Sequence, residues 1–541
     1  MPHEPYRLLA DAESALAGLS DGQRAQFRAA ATYHALHHPG ADLEFRVTVG
    51  TPEQLPVVTG PATEAPASAV GSAGLIVRAR STAIGGPSGS EIQRRAIRLA
   101  HADATPATTE PPVRPSLARR VYGLLERRAP MILDRIREVI TERRARQIAR
   151  PLPRFPEGPG DDQIVAALSL EAARPAPAVP ESGPPAILFG LHWLQPSGAE
   201  RWAIESIGIA QGLGFLPIVV TDHRSVHPWL TRPELEGAVV VTLSPDGDPE
   251  LESALARALV ANYRIRGAVV HHSTWLYRVL PLLKQWRPDM PTADSLHIVE
   301  YLGGGFPGLS ARFDASLDVH HTISPELDRW LSAVQGIDPG KLAMAPLTGL
   351  TVDAIAEFRP RDPATPFTLV SVGRLSRQKR PEAFILLVRR LVRRGVHVRA
   401  IMHGDGELRG LTDQLIARYR LGHVIERRDE TTPVAATLAE ADLLVQASIN
   451  EGLALTTIEA IAAGVPVLST DVGSQRTLVP EELLVPRPVR LLIRASEARI
   501  ARLAGSEEAR AAAWSAQRAR LDELTRRPAA QRFMRELFER W

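Results

Sequence analysis

At 541 residues the chain is too long for one compact core, so two or three domains are expected. Its 64 Lys and Arg residues nearly balance 61 Asp and Glu residues, which does not indicate a nucleic-acid partner. Cysteine is absent, which excludes disulfides, iron–sulfur clusters and thiolate zinc sites. The chain shows no signal-peptide pattern and no apolar run of the ~20 residues that span a bilayer. We therefore expect a cytoplasmic protein, either free or peripheral on the inner face of the plasma membrane.

Residues 1–150 are predicted to form an N-terminal extension of mixed, partly helical structure, whose role the sequence leaves open. A helical pattern from Tyr6 to about His37 precedes strand-like runs at residues 43–49 and 74–80.

An arginine-rich amphipathic helix is predicted over residues 116–150, ahead of a proline-rich linker at residues 151–184. Such a helix suits peripheral contact with an anionic membrane. A solvated helix that packs on its own protein has the same pattern, and we favour that interpretation.

Two successive arrays of apolar strands and amphipathic helices occupy residues 185–350 and 365–490, and a helical tail follows over residues 491–541. Apolar strands that alternate with amphipathic helices indicate parallel sheets covered on both faces. We therefore predict an α/β fold in which two Rossmann-like domains face each other across a cleft.

Two carboxylates, Glu451 and Glu459, mark the second array. Glu451 lies in a loop after a short apolar strand, and Glu459 lies on the helix that Gly464 ends. Both positions are near the carboxyl edge of the predicted sheet, where open α/β folds bind ligands. Glu451 has no helical role of its own, whereas Glu459 also fits a capping box with Thr456.

Two cations, Arg374 and Lys379, follow the first strand of the second array. Gly373 permits tight backbone geometry and Pro381 suits a first helical turn, so a helix N-terminus is predicted beside the two cations. Such a terminus is a ready anion site, to which Arg and Lys add charge. Further along, Gly404 opens a Gly-Asp-Gly turn, which is a weak signal because many loops use one.

These motifs resemble the retaining GT-B glycosyltransferases, especially family 4 (GT4). The run from Glu451 to Glu459 resembles their E-x7-E motif, and residues 371–381 resemble the element whose Arg and Lys grip the donor diphosphate. Residues 195–201 resemble their GGAER loop. The resemblance assigns nucleotide-sugar binding to ten residues: Gly198, Gly373, Arg374, Lys379, Gly404, Gly452, Leu453, Ala454, Leu455 and Glu459.

The resemblance also implies individual roles. Glu451, counted among the catalytic residues, binds hydroxyls of the donor sugar, and Glu459 binds the ribose hydroxyls, a role that we favour over the capping box. This chain departs from the family pattern at three positions, with Ser197, Arg380 and Ser474 where glycine is usual.

Histidines cluster at strand ends of the first array, and in the family one such histidine approaches the reacting sugar. His272 or His271 is our first choice for this catalytic position and His297 our second. A purely structural histidine is the alternative at each position. The glycine-rich residues 301–306 are predicted to form a mobile loop over the cleft.

The pair Asp246 and Asp248 resembles the metal-binding DxD of another glycosyltransferase class. It lies in a polar turn before a helix, where turn and cap chemistry explain it. We therefore expect no metal site.

The resemblance implies a retaining, metal-independent glycosyltransferase that moves a sugar from a nucleotide-sugar donor to a saccharide or lipid-linked acceptor in cell-surface glycan biosynthesis. No cofactor is expected besides the nucleotide-sugar substrate. Two alternatives stay open: a nucleotide-sugar epimerase of the same fold, which needs no acceptor, and a catalytically inactive scaffold that uses residues 1–150 as its interaction module. The sequence does not encode the donor base, the sugar or the acceptor in readable form.

Overall fold

The computed structural model describes residues 3–10, 12–57, 74–85, 92–104, 122–123, 125, 128, 130–243, 248–350, 356–429 and 431–541. Much of the first part of the predicted basic helix, before residue 130, therefore lies outside the described residues, and so does Asp246.

The N-terminal extension contains a four-stranded sheet with the order β1-β3-β2-β4. Its elements are β1 (Tyr6–Leu8), α1 (Ala12–Leu16), α2 (Asp21–His37), β2 (Asp42–Val49), β3 (Leu75–Ser81) and β4 (Gln93–Leu99). Phe27 of α2 and Phe45 of β2 meet edge to face, 5.6 Å apart, in its core. The prediction of a helix from Tyr6 was wrong, because residues 6–8 pair with β3 and the long helix begins only after the Ser20 capping box.

The first Rossmann-like domain is a seven-stranded sheet with the order β11-β10-β9-β8-β5-β6-β7, and every pairing in it is parallel. Its strands are β5 (Pro185–Leu191), β6 (Leu216–Thr221), β7 (Val239–Thr242), β8 (Arg264–His271), β9 (Thr292–Leu296), β10 (Val319–Thr322) and β11 (Leu342–Met344). The helices from the extension to this domain are α3 (Pro130–Ile148), α4 (Asp161–Ala172), α5 (Gly198–Gly212), α6 (Pro249–Asn262), α7 (Thr274–Trp286), α8 (Gly305–Arg312) and α9 (Pro325–Arg329).

The second Rossmann-like domain is a six-stranded parallel sheet with the order β14-β13-β12-β15-β16-β17. Its strands are β12 (Phe367–Val372), β13 (Val398–His403), β14 (Ile425–Arg428), β15 (Leu443–Gln446), β16 (Val467–Thr470) and β17 (Leu484–Val485). The helices here are α10 (Pro381–Arg393), α11 (Arg409–Arg418), α12 (Val434–Ala439), α13 (Leu455–Ala462), α14 (Val489–Gly505) and α15 (Glu507–Thr525).

The last helix, α16 (Ala530–Glu539), returns to the first Rossmann-like domain. Its Phe538 packs edge to face on Phe189 of β5, and the terminal Trp541 covers Gly267, where a Cβ would lie 2.2 Å from the indole. The two facing sheets confirm the predicted fold class. None of the helices in the described ranges is long and apolar enough to cross a membrane.

Candidate active site

The loops that carry the predicted site residues leave the central strands of both Rossmann sheets. In each sheet the strand order reverses between two neighbours, β5 and β8 in the first domain and β12 and β15 in the second. Open α/β sheets bind ligands outside the carboxyl ends of such strands. Gly198 follows β5, His272 follows β8, Gly373 follows β12 and Glu451 follows β15, so all four loops reach the cleft.

Two predicted donor-site glycines pack backbone against backbone. Gly373 and Gly404 have φ values of 142° and 133°, in the region that favours glycine. A Cβ on Gly404 would lie 2.2 Å from the carbonyl oxygen of Gly373. Beside them, the exposed Arg374 donates from Nη2 to the carbonyl oxygen of Pro196, 3.1 Å away in the first domain. Arg374 therefore spans the cleft.

Lys379 and Glu451 form an ion pair inside the cleft. The Lys379 Nζ donates to Glu451 Oε1 at 2.6 Å, and Ser448 Oγ donates to the same oxygen at 2.5 Å. The Glu451 side chain is only 5% exposed. Its other oxygen, Oε2, has no hydrogen-bond partner in the part of the chain that the structure describes, so it is available to a ligand hydroxyl.

The loop around Glu451 is pressed against the first domain. A Cβ on Gly452 would lie 2.1 Å from the carbonyl oxygen of His297, so only glycine fits there. The neighbouring Asn450 donates from Nδ2 to the carbonyl oxygen of Val299 at 2.7 Å. This loop is therefore a contact between the two Rossmann-like domains as well as a candidate sugar site.

Two helix N-termini approach each other across the cleft. Helix α13 begins at Leu455, directly after the buried Leu453 and Ala454, and helix α5 begins at Gly198. A Cβ on Gly198 would lie 3.2 Å from Leu455 Cδ1. The first backbone N–H groups of a helix have no intrahelical acceptor and carry partial positive charge, so this arrangement favours a bound anion.

Glu459 lies on α13 without the capping role that its spacing allows. The helix begins at Leu455, its N-cap Ala454 makes no side-chain bond, and Thr456 Oγ1 instead accepts from Gln446 Nε2 at 2.6 Å. The capping-box alternative is therefore wrong. Burial raises the pKa of Glu459, and the charge of Arg201 offsets part of this rise. Within the described residues the Glu459 side chain forms no hydrogen bond or ion pair, which leaves its carboxylate available to a ligand.

The three candidate histidines occupy different environments. His271 Nε2 contacts Ser206 Oγ of α5 at 2.8 Å, inside the core of the first domain. His272 instead stacks on Phe306, with ring centroids 4.6 Å apart, and lies 4.9 Å from the ring of His297. The structure thus brings His272 and His297 into ring contact, and His271 lines the same small cavity as both while it bonds to Ser206 in the core.

His272 has an unusual backbone conformation and a strongly lowered pKa. Its φ of 61° lies in the left-handed region, which non-glycine residues rarely adopt. Burial, followed by the charge of His192, lowers the pKa of His272 to about 3, so the ring is neutral at pH 7. Its buried Nε2 has no hydrogen-bond partner in the structure as described.

His192, one of the clustered histidines, and Glu200, in the GGAER-like loop, were given no catalytic role from the sequence, yet both belong to this cluster. His192 Nε2 lies 2.8 Å from Glu200 Oε1, and Trp193 Nε1 donates to the same oxygen at 2.6 Å. Burial alone would raise the pKa of Glu200, but the hydrogen bond from His192 and the charge of His192 hold it below its usual value. The sequence did contain a signal for this placement: His192 directly follows β5, so it lies at the same sheet edge as His272.

The segment 301–306, predicted as a loop, belongs to the first domain and contacts the second. Gly303, Gly304 and Gly305 all have positive φ, and helix α8 begins at Gly305. Tyr301 donates from its hydroxyl to the carbonyl oxygen of Ile449, 3.3 Å away in the second domain.

Of the acidic pair, only Asp248 lies within the described residues. Asp248 is the N-cap of α6 and accepts from the backbone N–H of Glu250 at 3.0 Å, as cap chemistry predicts. Within the described ranges, no group of three or more His, Asp or Glu side chains is arranged to hold a metal ion.

Facing Rossmann-like domains, with cations, helix N-termini and carboxylates converging on the cleft between them, define a two-domain α/β protein of nucleotide-binding type. Residues 354–512 match the family model described as "Glycosyl transferases group 1". This match covers the second Rossmann-like domain, where most of the motifs that carry the resemblance lie.

Two curated relatives carry the same name, "Putative colanic acid biosynthesis glycosyltransferase WcaL". The Salmonella typhimurium protein is 30% identical over 176 residues, which cover 29% of this chain and 43% of the relative. The Escherichia coli protein is 32% identical over 159 residues, which cover 27% of this chain and 38% of the relative. The chain thus spans about two fifths of the length of these curated relatives.

Among solved structures, Anabaena Alr3699/HepE in complex with UDP and glucose is similar with a TM-score of 0.49 and 15% identity, over 66% of this chain and 98% of that one. The apo form of lipopolysaccharide outer core galactosyltransferase WaaB has a TM-score of 0.49 and 13% identity, over 66% of this chain and 100% of that one.

Proposed function

We propose that this protein is a retaining, metal-independent glycosyltransferase that moves a sugar from a nucleotide-diphosphate-sugar donor to a saccharide or lipid-linked acceptor. One observation carries the proposal: cations, helix N-termini and carboxylates from both domains converge on a single cleft. The match of residues 354–512 to glycosyl transferases group 1 supports the reaction class. The names of the two relatives, which refer to colanic acid biosynthesis, support a role in cell-surface glycan assembly.

The donor diphosphate fits between Arg374, Lys379 and the N-termini of α5 and α13. These groups stabilise negative charge on the departing diphosphate, a preorganised electrostatic role that is worth several kcal/mol in other enzymes. They supply the countercharge that a metal ion provides in other sites, which supports metal independence.

The sugar lies toward Glu451, and the ribose lies toward Glu459. In the free protein Lys379 neutralises Glu451 at 2.6 Å. When the diphosphate binds, the flexible Lys379 stem moves its ammonium group to the phosphates, and Glu451 becomes free to accept hydrogen bonds from sugar hydroxyls. Glu451 thereby positions the sugar and does not attack it.

Transfer breaks the bond between the anomeric carbon and the diphosphate oxygen and forms a bond from the acceptor oxygen to the same face of that carbon. A diphosphate oxygen takes the acceptor's proton. The His272 and His297 rings line the first-domain side of the reacting centre, where a neutral His272 accepts or donates a hydrogen bond without adding charge.

The donor site is tested by the thermal unfolding midpoint with millimolar UDP, GDP or ADP. A nucleotide at ~100 times its dissociation constant adds about 2.7 kcal/mol to the free energy of unfolding. We expect one nucleotide to raise the midpoint of the wild type and to have little effect on the Arg374→Ala/Lys379→Ala variant. The matched control is Arg526→Ala/Arg527→Ala, which removes two exposed arginines between α15 and α16 and should respond like the wild type.

Turnover of the matching nucleotide-sugar then separates the alternatives. Acceptor-dependent release of the nucleotide in the presence of EDTA supports the proposal. Conversion of the donor to an isomeric nucleotide-sugar without acceptor identifies an epimerase, and a protein that no nucleotide stabilises is a scaffold.

A further inference from the structure

Two of the three carboxylates of helix α3 point toward the second Rossmann-like domain, where Asp134 lies 3.3 Å from Arg380 and Glu138 accepts from Arg487 Nε at 2.7 Å. Leu133, on the same side, is 3% exposed. The third carboxylate, Glu142, is exposed. Asp134 and Glu138 are therefore used in internal contacts and contribute little charge to the outward face.

The outward face of α3 is apolar and basic. Ile132, Ile136, Val139 and Ile140 are 60%, 50%, 48% and 45% exposed, and their spacing places them along one stripe of the helix. Exposed arginines flank or extend this stripe: Arg135, Arg143, Arg144 and Arg146. Within the described part of the chain, none of these four arginines forms an ion pair. Exposed bulky aliphatic side chains on a monomer's helix mark an interaction surface when they are contiguous.

A second basic surface, a groove between α10 and α14, lies next to α3. The groove, of about 530 Å³, is lined by six arginines and two apolar residues: Leu386, Arg389, Arg390, Arg393, Arg394, Arg490, Ile493 and Arg494. Glu497 pairs with Arg390 at 2.8 Å and with Arg394 at 3.1 Å, which leaves the groove strongly positive. The groove adjoins α3 because Val489, the residue before Arg490, donates its N–H to Asp134 of α3 at 3.2 Å.

We propose that the outward face of α3 and the arginine groove together form a docking surface for an anionic lipid bilayer. The isoleucine stripe inserts at the boundary between headgroups and acyl chains, while the flanking arginines stay at headgroup level. The groove binds lipid phosphates, for which arginine is suited by its bidentate geometry. A bilayer matches the combination because it offers apolar depth and dense negative charge side by side, with no fixed shape to fit.

This surface lies outside the cleft and takes no part in the proposed reaction. The docking proposal and the proposed function can therefore be tested independently. If the proposed transfer uses a lipid-linked acceptor, docking through α3 keeps the enzyme at the surface that holds that acceptor.

Co-sedimentation of the full chain with vesicles tests the proposal. We expect binding to vesicles of phosphatidylcholine with 30% phosphatidylglycerol, weak binding to pure phosphatidylcholine, and a steep fall as salt is raised. Near an anionic surface each arginine contributes about 1 kcal/mol, which is roughly fivefold in binding. Either Arg135→Gln/Arg143→Gln/Arg144→Gln or Arg393→Gln/Arg490→Gln/Arg494→Gln should therefore weaken vesicle binding on the order of a hundredfold. Ile132→Ser/Ile136→Ser should weaken it at least roughly tenfold without changing its salt dependence.

The charge control is Arg526→Gln/Arg527→Gln/Arg540→Gln, which removes the same charge elsewhere and should bind like the wild type. The apolar control is Ile84→Ser, an exposed isoleucine of the N-terminal extension. Absence of wild-type binding to anionic vesicles overturns the proposal, as does binding that neither the α3 variants nor the groove variant weakens. Nucleotide-induced stabilisation is unaffected by these variants, so loss of docking is distinguishable from failure of the donor site.

Discussion

Lys379 and Glu451 pair with each other in the free protein, although each is proposed to bind a different part of the donor, the diphosphate and the sugar. Their ion pair is short, and Ser448 donates to the same carboxylate oxygen. A buried carboxylate without a partner would cost several kcal/mol, so the lysine stabilises the free protein. The Lys379 side chain is 29% exposed, which allows its ammonium to move when phosphate arrives.

The cluster around His272 makes folding sensitive to acid. Burial is the first cause of lowered pKa values at several histidines of the first domain: to about 3 for His227 and His272, to about 4 for His321, and below the usual value for His271 and His297. These rings are neutral in the folded state, whereas the unfolded chain protonates them near the ordinary value of about 6.5. Their stabilising contribution is therefore present above about pH 6.5 and is lost as the pH falls toward the folded values.

We expect His272→Gln to make unfolding less dependent on pH. Removal of one such histidine should reduce the slope of the free energy of unfolding by up to about 1.4 kcal/mol per pH unit between roughly pH 6 and pH 4. Urea unfolding at several pH values from 7.5 to 4.5 measures this slope. His397→Gln, an exposed histidine of the second domain, is the control. Parallel curves for His272→Gln and the wild type would contradict a neutral, buried His272.

At the residue scale, a motif predicted position well where it fixed both the residue and its strand end, and the binding roles of these residues stay predictions. Glu451, Arg374 and Lys379 all lie at the cleft because each follows a central strand. The choice between His271 and His272 was beyond the sequence, because both line the same small cavity with His297. The positive φ of His272 turns its ring toward Phe306, and no sequence pattern encodes that turn.

At the scale of elements, apolar alternation predicted the two Rossmann sheets, whereas the N-terminal sheet was only partly visible. Strand β4 contains three arginines, so its sequence lacks the apolar pattern that predicts a strand. It is held in place by pairing with β2, where Arg94 and Arg78 both contact Glu44, at 3.3 Å and 3.0 Å. Cross-strand charge pairs of this kind stabilise a sheet without leaving a hydrophobic pattern.

Helix α16 attaches the end of the chain to the first Rossmann-like domain. Phe538 is fully buried, and its ring centroid lies 6.0 Å from that of Phe189. Phe538→Ala should lower the free energy of unfolding by about 3–5 kcal/mol, the usual cost of a large cavity in a core. Urea unfolding measures the loss, with the exposed Arg535→Ala as control. A loss below about 1 kcal/mol would show that α16 contributes little to the core.

The arrangement of the whole molecule depends on contacts between domains that no local pattern predicts. Asn450 contacts Val299, and the hydroxyls of Ser324 and Ser474 lie 2.6 Å apart. Ser474 is the position at which this chain departs from the motif that it resembles, and here its hydroxyl supplies a link between the domains. These contacts bring the donor-side loops to the histidine cluster of the first domain.

Gly452 sets how closely the two domains approach. A Cβ at this position would lie 2.1 Å from the carbonyl oxygen of His297, which is main chain and cannot rotate aside. We therefore expect Gly452→Ala to push the domains apart at the cleft. The predicted results are a larger radius of gyration in solution scattering and a transfer rate at least roughly tenfold lower, since displacements of about 1 Å in a reacting geometry cost about a hundredfold.

The control for this variant is Gly410→Ala in helix α11, where an added Cβ meets nothing within 4 Å. It should leave the radius of gyration and the transfer rate unchanged, and it should raise stability slightly because alanine favours helix. Gly452→Ala should keep near-wild-type unfolding in each domain, because the clash lies between the domains and not within either core. If Gly452→Ala keeps both the wild-type radius of gyration and the wild-type transfer rate, the gap between the two domains at residue 452 must be wide enough for a methyl group during turnover. The close approach of the Glu451 loop to His297 would then not be part of the reacting geometry.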